Sequence, residues 1–244
     1  MTDDYRKAFY DAYATTHTIP RKGEVTSARL RHLSRHWHAR FRPLLPTDRM
    51  ARILDVGCGD GTLLLWLQQC GYRNAAGVEI SAEQVAIAHQ LGAERVTLAP
   101  LDAFLARQRD AWDVLVLRNV LEHFPKAEAL QVLRLAHSAL APGGRIVLQV
   151  PNGQSPFAGR IRYGDFTHEL AFTERSLAQV LAVIGFGAIR CRPVTPVFGG
   201  LLGPVRAVAW RAVELLYRSL LAAEVGAWPA VVTLDVIATA VRPQ

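Results

Sequence analysis

One stretch constrains this chain more than any other: ARILDVGCGDGTLLLWLQQCG, residues 51–71. An apolar run, ARILDV (51–56), leads into Gly57, Gly59 and Gly61. An apolar helical pattern, TLLLWLQQCG (62–71), follows directly and is ended by Gly71. Glycines at that junction permit a tight turn and let the backbone come close to a ligand. A strand, a glycine turn and a helix in this order form the opening half of a βα unit, and the rest of the chain repeats the alternation. NAAGVEI (74–80) reads as a second strand, and Ser81 opens a helix that runs to about Leu91. RVTLAP (95–100) is a weaker third strand and WDVLVL (112–117) a strong fourth. A helix over 127–140 is stopped by APGG, and RIVLQV (145–150) is the fifth strand. Thr173 begins a helix over 172–186 with a capping-box pattern that is weak at Ser176. AIRCRPV (188–194) and AVVTLDVIATAV (230–241) read as the last two strands. The expectation is an α/β fold with a doubly wound, mostly parallel, seven-stranded sheet.

Three segments lie outside the alternation. Residues 1–46 predict two helices, around 3–14 and 25–41, forming an N-terminal helical cap before a main domain over 47–244. Residues 151–171 form a polar, Gly/Pro-punctuated loop directly after a strand's C-terminal end. Residues 196–228 insert an apolar, arginine-dotted helix before the last strand. Ligands of open α/β sheets sit outside the carboxyl ends of the strands, so the first two segments are natural lids.

Composition narrows the classes. Half of the 244 residues are apolar and 20% are charged, which excludes a disordered chain. Cys58, Cys70 and Cys191 form no CxxC pair, which argues against a disulfide framework or a cysteine zinc site and fits a reducing cytosol. The charged N-terminus shows no signal-peptide pattern and no run is apolar enough to span a bilayer, so a cytoplasmic location is expected. The chain is basic, with a formal charge of +7, and residues 1–49 carry ten Lys/Arg against five Asp/Glu. Such a patch suits phosphates or an anionic membrane surface, and equally a solvated helix face.

The glycine turn reads GxGxG, with Thr62 where a GxGxxG dinucleotide fingerprint needs its third glycine. Asp55, two positions before the first glycine, would repel a pyrophosphate but suits a cationic amine. Glu79 at the end of the second strand can accept both hydroxyls of a ribose. Asp102, past the third strand, can accept from an adenine amino group, or cap a helix. An amine, a ribose and an adenine without phosphates describe S-adenosylmethionine (SAM). ILDVGCGDG, VEIS, LDAF, WDVLVLRNVLEH and LAPGGRIVLQVPN, in that order over roughly residues 45–190, resemble the successive motifs of class I SAM-dependent methyltransferases. The resemblance implies a Rossmann-like domain with SAM as cofactor. Gly57, Cys58, Gly59 and Gly61 would wrap its methionine part beside Asp55, Glu79 and Ile80 would hold the ribose, and Asp102 with Ala103 would meet the adenine. The backbone around Arg118 and Asn119 would complete the cofactor site.

Methyl transfer to a hydroxyl needs alignment and a base. His168, with Asp165 and Glu169 close by, and His123, in Leu121-Glu122-His123, are the catalytic candidates. The fourth strand ends RNVL rather than in an [ND]PP[YFW] motif, no Pro-Cys pair is present, and no RNA-binding module accompanies the basic patch. Nucleic acid is therefore not an expected partner. No metal site is expected, because His32 and His36 stand among Arg29, Arg31, Arg35 and Arg40. FYDAYATTHT and DFTHELAFTERSLAQVLAVIGF resemble bacterial methyltransferases of cell-surface polysaccharide gene clusters, and the second segment also resembles UbiG-like and small-molecule methyltransferases. The resemblance implies O-methylation of a sugar in a surface glycan or its precursor. The alternatives are an O- or N-methyltransferase of a secondary metabolite or quinone-like acceptor, and a SAM-binding protein without turnover. Thr16 and His17 are candidates to close the site. In the inserted helix, about 203–224, Arg206, Arg211, Glu214, Arg218 and Glu224 fall in one sector of roughly 140°. Its broad apolar face can pack on the sheet, form a homodimer, or make a peripheral contact with the inner membrane face.

Overall fold

A computed structural model of the chain describes residues 5–19 and 25–244. Its sheet comprises β1 (Ile53–Val56), β2 (Ala75–Glu79), β3 (Val96–Leu98), β4 (Trp112–Arg118), β5 (Leu140–Pro151), β6 (Gly187–Pro193) and β7 (Asp235–Val241). The spatial order is β3-β2-β1-β4-β5-β7-β6. All pairs are parallel except those of β7, which runs antiparallel to β5 and to β6. The strand order reverses between β1 and β4, and a crevice opens there at the carboxyl ends. This is the Rossmann-like, mostly parallel sheet that the alternation predicted.

The described α-helices are α1 (Tyr5–Asp11), α2 (Ser27–Arg40), α3 (Thr62–Gln69), α4 (Ala82–Gln90), α5 (Leu101–Leu105), α6 (Lys126–Ala139), α7 (Ala158–Arg162), α8 (Glu174–Ile184) and α9 (Gly203–Val225). Trp37, Phe41, Leu63, Leu67 and Val85 from α2 to α4 bury one face of the sheet against Ile53, Val114 and Val116. Leu105, Leu133, Leu177 and Leu181 from α5, α6 and α8 bury the other against Leu54, Leu115 and Leu148. Covered on both faces, β1 has no exposed side, which is why it reads as a continuous apolar run around Asp55.

Local chemistry sets several boundaries. Thr173 accepts from the Ser176 N–H at 3.2 Å, and the Ser176 hydroxyl accepts from the Thr173 N–H at 2.9 Å, so the capping box closes despite its serine. β7 begins at Asp235 rather than 230, because the Asn152 amide donates to the Val231 and Thr233 carbonyls (3.2 and 2.8 Å) and holds those residues as a buried loop. The predicted helix over 3–14 becomes α1 followed by a π-helical turn, Ala14–Thr18, its first two residues lying outside the described ones. Of the described residues within 1–46, those over the strand ends are 5–19. α2 packs on the sheet instead, with Trp37 against Trp66 at 6.3 Å. α9 does not pack its apolar face on the sheet, because Glu214 on its charged side is the buried one.

Candidate active site

A cavity of about 1040 Å³ opens at the switch point, walled by the glycine turn, the ends of β2 and β4, the first turn of α5, residues 161–168 and the N-terminal segment. It reaches the upper end of ordinary ligand sites, ~300–1,000 Å³. Gly57, Gly59, Glu79, Ile80, Asp102, Arg118, Asn119, His123 and His168 all line it. The remaining sequence candidates are placed otherwise. Cys58 is buried beneath the turn, where a Cβ on Gly77 would fall 2.6 Å from its sulfur. Gly61 lies outside the lining, and a Cβ there would meet those of Ala88 and Ala93 at 2.8 and 2.9 Å, so it is a packing position at φ +70°. Ala103 is exposed on α5, also outside the lining. The Cys58 side chain and the Cα of Gly61 thus pack on the inner side of the turn.

At one end the groups are acidic. Gly57 takes φ +71°, and a Cβ there would strike Val120 at 2.6 Å, so the turn tolerates only glycine without rearrangement. The Glu79 carboxylate accepts from the N–H groups of Gly59, Ile80 and Ser81, each at 2.9 Å, which fixes its orientation at the cavity wall. Burial pushes its carboxyl upward against those three hydrogen bonds. Asp55 is fully buried under the turn, and its Oδ2 has no hydrogen-bond partner. Burial raises its carboxyl to about 7, with the Arg118 guanidinium opposing and Glu79 and Asp60 adding. An orphaned, half-ionised carboxylate beneath a glycine cradle suits a cationic amine. Asn119 directly follows β4 at φ +58°, a conformation asparagine tolerates, with its N–H donating to the Gln149 carbonyl at 2.8 Å.

At the other end the groups are basic. The His168 Nδ1 donates to the Ile161 carbonyl at 2.9 Å, because a carbonyl only accepts, and the neutral ring therefore keeps its lone pair on Nε2. Asp165 Oδ2 stands 3.9 Å from that nitrogen, where it stabilises positive charge on the ring. Asp165 accepts from the Tyr13 hydroxyl (2.6 Å), the Thr167 N–H (3.0 Å) and the Thr167 hydroxyl (2.7 Å), with His17 Nδ1 at 3.4 Å. Burial alone would raise its carboxyl; the hydrogen bonds from Tyr13 and Thr167, with His17 adding, outweigh it and hold the group at about 2. His123, beside His168, is held through the same ring nitrogen. Its Nδ1 is 2.8 Å from the Thr167 oxygen, whose own proton goes to Asp165. Burial, then the neighbouring His168, lowers it to about 4. The two rings meet edge to face at 4.7 Å. A base that weak positions its neighbour better than it takes a proton. Glu122 joins the pair, one ligand-capable atom from each of Glu122, His123 and His168 lying within 4.8 Å of the others. Both Glu122 side-chain oxygens are without hydrogen-bond partners, and burial pushes its carboxyl well above the usual range.

The N-terminal segment closes the top. Arg6 pairs with Glu128 through two bonds (2.6 and 3.1 Å), the Tyr5 hydroxyl donates to Glu169, and Glu83 accepts from the Ala14 N–H at 2.9 Å. Tyr13 and His17 stack at 4.9 Å, and both line the cavity, whereas Thr16 is exposed and bonds its own helix. Sequence reasoning singled out His17 but missed Tyr10 and Tyr13. Their signal was the aromatic spacing of FYDAY, which reads equally well as an ordinary amphipathic helix.

A family model described as a methyltransferase domain matches residues 28–190. The chain belongs to this methyltransferase family. The matched residues hold the glycine turn, Glu79, Asp102, His123 and His168, leaving residues 5–19 and α9 outside. Among curated relatives, the ubiquinone biosynthesis O-methyltransferase of Xanthomonas oryzae is 30% identical over 107 residues, 42% of this chain; the matched stretch spans 44% of that relative's length. The fold is that of SAM-dependent methyltransferases. One from Archaeoglobus fulgidus superposes with a TM-score of 0.65 at 20% identity, covering 87% of this chain and 94% of that one. Phosphoethanolamine N-methyltransferase 2 of Haemonchus contortus, solved with SAM, gives 0.63 at 18%, covering 97% and 60%. Among the described residues no helix is long and apolar enough to cross a membrane.

Proposed function

We propose that the chain transfers a methyl group from SAM to a hydroxyl, the acceptor being a sugar of a cell-surface glycan or its precursor. The observation that carries the transfer reading is the pairing, in one cavity, of an acidic cradle with a histidine whose Nε2 lone pair stands beside a buried carboxylate. The donor set fits the cofactor. Asp55 and the glycine turn would take its amino-acid end, Glu79 the ribose and Asp102 the adenine. When bound, SAM supplies an electrophilic methyl group on a sulfonium.

The chain's residues supply the rest. His168 Nε2 accepts the acceptor hydroxyl's proton as the oxygen is alkylated. Asp165 stabilises the imidazolium, and the Ile161 carbonyl keeps the ring from turning. A sugar hydroxyl is a weaker acid than a phenol and depends more on such a base, which favours the sugar reading. A second reading, a quinone-like phenolic acceptor, draws on the name of the Xanthomonas relative. A cavity of this size with a base in its wall argues against a protein that binds SAM without turnover.

The test is methyl-labelled SAM offered with nucleotide sugars, lipid-linked glycans and catechols. Label on a sugar oxygen supports the proposal, and label confined to phenols overturns the acceptor. His168→Ala should lower kcat by ~10²–10⁴-fold with SAM affinity little changed; undiminished turnover would remove His168 as the base.

A further inference from the structure

Helix α9 is built inside out. It stands on the body by its charged side: Glu214 is buried, paired with Arg211 at 3.1 Å and Arg218 at 2.8 Å. Arg218 also donates to the carbonyls of Pro229 and Ala230. With Glu214 directed inward, the opposite sector of roughly 160° carries no charged residue over the whole helix. Val205, Val208, Leu215, Leu216 and Leu220 stand there, each between 59% and 71% exposed. Leu201 and Leu202, fully and 68% exposed, extend the strip beyond the helix start. Arg206 and Arg211 flank it on its two sides, with Glu224 in the last turn.

An exposed apolar face of this length needs an occupant. A second copy fits it poorly. Twenty-three residues give a rod ~34 Å long, and a face ~12 Å wide offers ~400 Å². That is about half of the ~800 Å² per partner that stable protein interfaces bury. A bilayer sets no such threshold, since an interfacial helix sinks its apolar face ~5–10 Å into the headgroup boundary. The flanking arginines, on a chain of net charge +7, then meet lipid phosphates.

We propose that α9 docks this protein on an anionic membrane surface, lying in its plane with Val205, Val208, Leu215, Leu216 and Leu220 among the acyl chains and Arg206 and Arg211 at the phosphates. Trp210 lies 6.4 Å from Phe157, at the start of the segment that supplies His168 to the cavity. The inference rests on α9 and not on the acceptor's identity.

The test is co-sedimentation of the full chain, without SAM or acceptor, with vesicles of phosphatidylcholine containing about one-third phosphatidylglycerol. The protein should pellet with them. Leu215→Ser/Leu216→Ser/Leu220→Ser should weaken partitioning by at least ~30-fold, with unchanged thermal unfolding and SAM affinity showing that the fold is intact. Arg206→Ala/Arg211→Ala should weaken it ~10-fold or more on the mixed vesicles and not on phosphatidylcholine alone. Wild-type protein left in the supernatant, or a serine variant that pellets equally, overturns the docking. Equal binding to pure phosphatidylcholine overturns the anionic surface as partner. A lipid-indifferent dimer that Leu216→Glu splits into monomers replaces the membrane with a second copy.

Discussion

Asp165→Asn tests the link between lid and base. The carboxylate accepts from Tyr13 on the lid and twice from Thr167, and lies beside His17 and His168. An asparagine keeps the shape and one accepting oxygen, which Thr167 can hold. Its amide end cannot accept from the Tyr13 hydroxyl, so one buried donor loses its partner. Two routes give the size of the loss. A hydrogen bond to a charged group is worth ~1.5–3 kcal/mol. The fall of the carboxyl from its ordinary 3.8 to about 2 corresponds, at ~1.36 kcal/mol per pH unit, to ~2.5 kcal/mol at neutral pH. With a urea dependence of ~2–3 kcal/mol per molar, the unfolding midpoint at pH 7 should fall by ~1 M. The sign of the pH dependence follows from the depressed value. The carboxylate's contribution is complete above pH 3.8 and is lost as pH falls through about 2. The gap between wild type and variant should therefore close between about pH 4 and 2, in parallel urea titrations followed by circular dichroism. A variant with the wild-type midpoint at pH 7 would refute the view that Asp165 holds the lid.

Three further outcomes are expected. SAM affinity should rise as pH increases from 5 through about 7 and level roughly a unit above, because Asp55 ionises near 7 and only its charged form attracts an ammonium; in Asp55→Asn this slope should be absent and affinity low throughout, read by calorimetry at each pH. Gly61→Ala should destabilise by ~2–4 kcal/mol, combining left-handed strain at φ +70° with overlap on Ala88 and Ala93, seen as a lower thermal midpoint. Asn152→Ala should cost ~2–3 kcal/mol by orphaning the buried carbonyls of Val231 and Thr233, and faster amide exchange over 231–236 would locate the damage.

The sheet was legible because its strands are buried on both faces and its helices carry their own stops. ILDV, WDVLVL and the Thr173 cap each state their structure within a few residues. Residues 230–234 misled, since AVVT has strand composition, and only the distant Asn152 amide keeps it out of the sheet. At the site, the glycine turn, Glu79 and Asn119 could be read from strand ends, where position follows from topology. Gly61 and Cys58 share that motif yet face inward, a matter of turn geometry that spacing does not encode. The approach of Tyr13 to Asp165 across 152 positions left no local trace. The weakness of His123 as a base came from its burial and its contact with the His168 ring, which no spacing in the sequence shows. The wheel of α9 grouped its charges correctly, but which side faces the body required Glu214's buried ion pairs.

The proposed reaction depends on the glycine turn, Asp55 and Glu79 acting together as a SAM site. Calorimetric titration of the purified protein with SAM and S-adenosylhomocysteine, with NADH as control, tests it most directly. Saturable binding of both adenosyl ligands, no signal for NADH, and a severe loss of SAM affinity in Asp55→Ala are expected. A folded sample that binds neither adenosyl ligand, or an Asp55→Ala variant that binds SAM as well as wild type, would contradict it.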